Sequence, residues 1–84
     1  MTFFVYVLIS ETTGRRYVGH TENLQRRLAE HNDSQHNPAK YTTKHPGPWR
    51  LIYQEAHNSR AEAMARERWL KSGVGRQWLN RSIG

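Results

Sequence analysis

At 84 residues the chain forms one domain, 1–84, because a chain this short buries only roughly 60% of the surface that its unfolded form exposes. It has no cysteine, which excludes a disulfide framework and a thiolate zinc site, and no run approaches the roughly 20 apolar residues that cross a membrane. Thirteen Lys and Arg against seven Asp and Glu leave a formal charge of +6; this favours a polyanionic partner such as nucleic acid, the plain alternative being a merely soluble basic protein.

The opening stretch, Met1 to Ile9, is apolar but lacks the positive start and small-residue cleavage site of a signal peptide, so it reads as a strand in a cytoplasmic protein. Phe3, Val5, Val7 and Ile9 alternate with Phe4, Tyr6 and Leu8. A strand apolar on both faces is buried on both, hence central in a sheet with helices against it. Glu11-Thr-Thr-Gly14 has turn chemistry, and Arg15 to Gly19 reads as the return strand of a hairpin. Gly19 then turns the chain from strand to helix. Thr21 is the expected N-cap, with Glu22 favourable in the first turn, and the helix runs to about Glu30 or His31.

Residues 32–48 differ from the rest, with Pro38, Pro46, Gly47 and Pro48 and few aliphatic side chains. So long a loop in so short a chain is either functional or a plain surface connection. Lys40, Tyr41 and Lys44 interleave cations with an aromatic ring, which suits contact with a nucleic-acid backbone and its bases. Trp49 to Ala56 follows as a third strand, with Trp49, Leu51 and Tyr53 expected on one side. Asn58 or Ser59 caps the next helix, and Ser59 with Glu62 fits a capping box. Ala61, Met64, Ala65 and Trp69 are its expected buried stripe, and Gly73 its left-handed terminator. A short helix from Gly75 to Asn80 ends the chain, with Trp78 and Leu79 packing back. The order β-β-α-β-α-α gives an α+β fold: a small, largely antiparallel three-stranded sheet flanked by helices.

Several residues carry potential chemistry. Leu24, Arg27, Leu28 and His31 lie along one row of the first helix, so Arg27 and His31 are neighbours. The preceding strand delivers Tyr17 to the same end of the sheet. Singly, each has an ordinary reading: Tyr6 and Tyr17 as half-buried strand tyrosines, Arg27 as a solvated charge, His31 as a helix-terminal histidine favoured by the dipole. Glu67 is flanked at helical spacing by Ala63, Met64 and Leu70. It is either a salt-bridge partner for Lys71 or a functional carboxylate. His31, His36 and His45 match no tight zinc spacing. No phosphate-cradling Gly-rich loop and no Gly-x-Ser-x-Gly elbow occurs, which sets aside nucleotide hydrolases and serine esterases.

The set Val5-Tyr6, then Tyr17-Val18-Gly19, then Arg27, His31 and Glu67 resembles the GIY-YIG nuclease family. The likeness is greatest to its small stand-alone bacterial members, through Arg26-Arg27-Leu28-Ala29-Glu30-His31-Asn32, Trp49-Arg-Leu-Ile-Tyr53 and Ala63-Met-Ala-Arg-Glu-Arg-Trp-Leu-Lys71. Phe4 stands where the family's first motif has glycine, and Val18 where its second has isoleucine; Asn80 aligns loosely with a terminal asparagine. The resemblance implies cleavage of DNA phosphodiesters with Mg²⁺ or Mn²⁺ and no organic cofactor, on branched or damaged DNA in repair or recombination. It implies that Glu67 holds the metal and that Arg27 contacts the scissile phosphate. Tyr6 and Tyr17 border the attacking water, and His31 assists proton transfer or phosphate binding. Arg26, Lys40, Tyr41 and Lys44 are expected to contact nucleic acid. With no separate targeting domain in the chain, recognition is expected to follow DNA structure rather than sequence. The alternative is a binding module that keeps the fold without catalysis.

Overall fold

The computed structural model describes residues 1–33 and 47–83. Its elements are β1 (Phe3–Ser10), β2 (Arg16–Thr21), α1 (Leu24–His31), β3 (Trp49–His57), α2 (Arg60–Lys71) and α3 (Gly73–Ile83). This is the expected β-β-α-β-α-α order in an α+β fold. The strands form one antiparallel sheet in the order β2-β1-β3. The doubly apolar β1 is the central strand, because only there do both of its faces escape water.

Each face of β1 has its own core. Phe3, Val5 and Val7 pack with Ala63 and Leu70 of α2 and Leu79 of α3. Tyr6 and Leu8 pack on the other side with Trp49 and with Leu24 and Leu28 of α1. Helices therefore cover both faces of the sheet. Full burial of one such side chain contributes roughly 1.5–3 kcal/mol, so β1 is the backbone of the stability. Among the described residues, no helix is long and apolar enough to cross a membrane.

Strict alternation fails in β3. Val7 pairs with Tyr53 but Leu8 pairs with Leu51, which leaves Ile52 as the extra residue of a bulge. Trp49 and Leu51 consequently join the α1 face, whereas Tyr53 joins the α2–α3 face against Trp78. The sequence reading had put all three on one side.

The helix ends also need correction. β2 runs on to Thr21, so the expected cap is strand, and its hydroxyl accepts from Asn23 N at 3.1 Å. Asn23 is the true cap of α1, its side chain accepting from Arg26 N at 3.1 Å. Ser59 caps α2 as expected, accepting from Glu62 N at 3.2 Å. The inward face of α2, however, is Ala63, Arg66, Glu67 and Leu70, while Ala61, Met64 and Ala65 are exposed. Two inward charges disguise the apolar period. Arg66 is accommodated between the rings of Trp69 and Trp78, at 4.6 and 4.8 Å, and its Nε donates to Glu55 at 3.0 Å.

Gly73 is not left-handed; among the described residues only Gly14 has positive φ, in the β1–β2 turn. Ser72 ends α2 in an extended conformation and Gly73 opens α3, which is longer than expected at both ends. The glycine that matters there is Gly75. A Cβ on it would collide with the Trp69 carbonyl, so its bareness lets α3 cross close over α2.

Candidate active site

β2 lies at the edge of the sheet and sends alternate side chains to opposite faces. Tyr17 and Gly19 face α1; Val18 and His20 face α2. Two groups of polar side chains form, one on each side of this strand.

The first group centres on Tyr6. Tyr6 pairs across the sheet with Gly19. A Cβ at Gly19 would stand 2.7 Å from the Tyr6 hydroxyl oxygen and 2.9 Å from Tyr17 Cε1. Gly19 thus sits within β2 and makes room for two tyrosines, rather than turning the chain into the helix. The Tyr6 side chain is 1% exposed, and its oxygen lies 2.8 Å from His31 Nε2. The rings of Tyr17 and His31 are 4.7 Å apart, and those of Tyr6 and Tyr17 6.2 Å. The structure thereby brings together Tyr6, Tyr17, Arg27 and His31.

Burial dominates the electrostatics here. It pushes the Tyr6 phenol up, with the nearby Arg27 charge pulling the other way and losing. It pushes His31 down to about 4, aided by Arg27. His31 is therefore neutral at pH 7, and in the tautomer protonated at Nδ1 its Nε2 accepts the Tyr6 O–H. Burial works against the Arg27 charge as well, but Tyr6 and Glu30 outweigh it and the guanidinium stays charged. Arg27 Nη1 reaches Glu30 at 3.4 Å, and its buried Nε has no acceptor among the described residues.

The second group centres on Glu67. Its Oε1 lies 2.6 Å from His20 Nδ1, and its Oε2 accepts from Lys71 Nζ at 2.7 Å. Burial raises its pKa, but Lys71 and His20 together hold the carboxyl below the usual range, so it is ionised. Of the two sequence readings of Glu67, the salt bridge to Lys71 is present, and the carboxylate is also turned inward, 20% exposed. His20 was missed in the sequence. Alternation with the apolar Val18 does place it on the α2 side, yet its partner lies 47 residues away. Among the described residues no cluster of three His, Asp or Glu side chains could cage a metal.

Around the outer edge of β2 the two groups adjoin. A cleft of about 700 Å³ opens there, with Tyr17 and Lys71 among its walls.

The GIY-YIG catalytic domain family matches residues 2–80. The chain belongs to the GIY-YIG family. That is a family of nucleases. A UPF0213 protein of Staphylococcus haemolyticus is 45% identical over 63 residues, covering 75% of this chain and 73% of that one. One from Halobacterium salinarum is 43% identical over 67 residues, covering 80% and 82%. The solution structure of the UPF0213 protein BH0048 from Bacillus halodurans superposes with a TM-score of 0.57 at 34% identity, covering all of this chain and 87% of that one.

Of the two departures from the GIY-YIG pattern, Phe4 lies outside the cleft and Val18 lines it. Phe4 lines a depression with Leu24, Leu28 and Leu51 that none of Tyr17, His20 and Glu67 borders. Val18 packs into the α2–α3 core. Arg26 is exposed on α1, its backbone N engaged by Asn23. Lys40, Tyr41 and Lys44, with His36 and His45, lie outside the described residues.

Proposed function

We propose that this protein is an endonuclease that hydrolyses DNA phosphodiester bonds in the cytoplasm, using Mg²⁺ or Mn²⁺ held at Glu67. The observation that carries the reading is Glu67 itself. It is an ionised carboxylate on the packed face of α2, between the buried Ala63 and Leu70. An apolar residue there would pack without desolvating a charge, and perturbed carboxylates gather at functional sites.

The residues fit a hard divalent cation. Mg²⁺ keeps most of its waters and binds through one or two carboxylates plus phosphate oxygens, so a single glutamate suffices. Such an ion supplies charge neutralisation on the phosphoryl oxygens. The remaining work falls to the chain. Arg27 stays charged and keeps 30% of its side chain exposed, so its exposed guanidinium N–H groups can donate to a phosphate oxygen. Because Tyr17 lines the open cleft while the Tyr6 hydroxyl is engaged by His31, Tyr17 takes the reacting position. Tyr6 and His31 position it through their ring contacts. His20 and Lys71 hold the Glu67 carboxylate in place. Branched or damaged DNA, met in repair or recombination, is the substrate class this reading favours.

The test is nicking of supercoiled plasmid and of a branched DNA with Mg²⁺ or Mn²⁺, comparing wild type with Glu67→Ala. Cleavage that disappears in the variant, with DNA binding retained, supports the nuclease. No cleavage by the wild type, or equal cleavage by both, leaves a non-catalytic binding module as the better account.

A further inference from the structure

The cleft at the edge of β2 is more than an opening onto Tyr17. We infer that it binds an unpaired stretch of DNA strand, and that the protein selects substrates with a single-stranded arm beside the cleavage point. This inference rests on the nucleic-acid reading above and deepens it by naming the form of DNA.

Two chemistries line the cleft. Arg16, Lys71 and Arg76 supply positive charge, and among the described residues no carboxylate lines it. The half-buried Tyr17 ring and Val18 supply an apolar surface, with the buried Leu70 and Leu79 packed beneath it. Phosphates match the first and the faces of unpaired bases match the second, the combination by which proteins hold single strands. A duplex turns its bases inward and presents mainly phosphate and sugar to the outside, so it could use only the cations. The cleft, about 700 Å³ and open to solvent, falls within the usual size range of ligand sites.

The cations are also prepared for anions. Arg76 stands exposed on α3 with no ion pair among the described residues. Asn80, one turn further along α3, accepts from Arg16 Nη1 at 2.8 Å. That bond fixes the guanidinium at the cost of one of its five donors and leaves the others for phosphate. Lys71 ties the cleft to Glu67, and Tyr17 ties it to the other group. A strand lying in the cleft therefore leads to the place between them.

The experiment is fluorescence anisotropy in EDTA, where no cleavage can occur, with a single strand, a blunt duplex and a duplex carrying a single-stranded arm. Wild type should bind the two probes with unpaired nucleotides more tightly than the blunt duplex. Arg76→Glu should weaken binding of those two by about tenfold or more, and Arg16→Ala by less, with the blunt duplex, which meets the cations alone, weakened clearly less than either. The salt slope for the armed probe should also fall by about one in Arg76→Ala. Both residues lie at the surface, and circular dichroism melting confirms that the variants fold. Equal weakening on all three probes would show a general positive field and overturn the inference. So would no weakening, or a wild type without preference for unpaired nucleotides. Because binding is read without metal, a failed cleavage assay with Glu67→Ala leaves this result standing or falling on its own.

Discussion

The Tyr6 hydroxyl and His31 Nε2 meet at 2.8 Å, buried, across 25 residues of sequence. One residue comes from the central strand and the other from the last turn of α1, so the bond ties helix to sheet beneath Tyr17. Both partners are neutral for the same reason: burial raises the phenol's pKa and lowers that of the imidazole.

That neutrality makes stability depend on mild acid. The folded pKa of His31, about 4, lies below its ordinary value of 6.5, so the unfolded chain takes up the proton first. The stabilising contribution is therefore complete above pH 6.5 and is lost as pH falls from there to about 4. The shift corresponds to a loss of about 3 kcal/mol. Tyr6, Tyr17, Arg27 and Glu30 surround the ring. Urea midpoints measured across the interval should fall steeply in wild type and much less in His31→Gln. Parallel curves would mean that His31 does not titrate as its burial requires.

Gly19→Ala tests the packing of the two tyrosines. The added methyl would stand 2.7 Å from the Tyr6 oxygen and 2.9 Å from Tyr17 Cε1, and backbone on both strands limits its retreat. Overpacking of this kind costs about 1–3 kcal/mol. Nuclease activity should fall by more than the stability loss explains, because Tyr17 is displaced. A variant with wild-type melting and wild-type cleavage would show that the pair tolerates the intrusion.

Much of this was legible in the chain. The double apolar alternation of Phe3 to Leu8 placed β1 at the centre of the sheet, and Ser59 with Glu62 marked the start of α2. Tyr17, Arg27 and His31 converge as their spacing on strand and helix suggested, and Tyr6 joins them, as only the family resemblance had implied. What stayed hidden depends on partners distant in sequence. The bulge at Ile52 exists only relative to β1, and it moves Tyr53 to the other face. The inward face of α2 was obscured because Arg66 and Glu67 occupy it, each satisfied by groups that no local pattern shows. Gly19 looked like a turn residue because nothing nearby in sequence reveals the Tyr6 ring lying against it.

Arg27 is expected to be irreplaceable by lysine. Its side chain is 30% exposed, and a planar guanidinium can grip a phosphate with several donors where an ammonium offers a point charge. Removing one such stabilising group costs on the order of 10²–10³ in rate. Single-turnover cleavage should fall by that order in Arg27→Ala and remain well below wild type in Arg27→Lys. Full activity of the lysine variant would reduce Arg27 to a general positive charge.

The last prediction concerns Asn32, which directly follows His31. Its side-chain amide spans the backbone of Trp49: Oδ1 accepts from Trp49 N at 2.7 Å and Nδ2 donates to Trp49 O at 3.0 Å. One side chain thus completes both polar groups of the first residue of β3 and ties it to the end of α1. Asn32→Ala leaves those groups without their partner, at a cost of about 1–2 kcal/mol. Asn32→Asp keeps the acceptor for Trp49 N but sets a second oxygen against the Trp49 carbonyl, so it should restore little of that loss near neutral pH. Protonation of the new carboxyl returns a donor, so the aspartate variant should recover relative to alanine as pH drops below about 4, near the ordinary range of that group. Chemical denaturation of the three proteins at two pH values reads this directly. If the aspartate variant matches wild type at pH 7, or both variants do, the amide bridge is not what fastens α1 to the sheet.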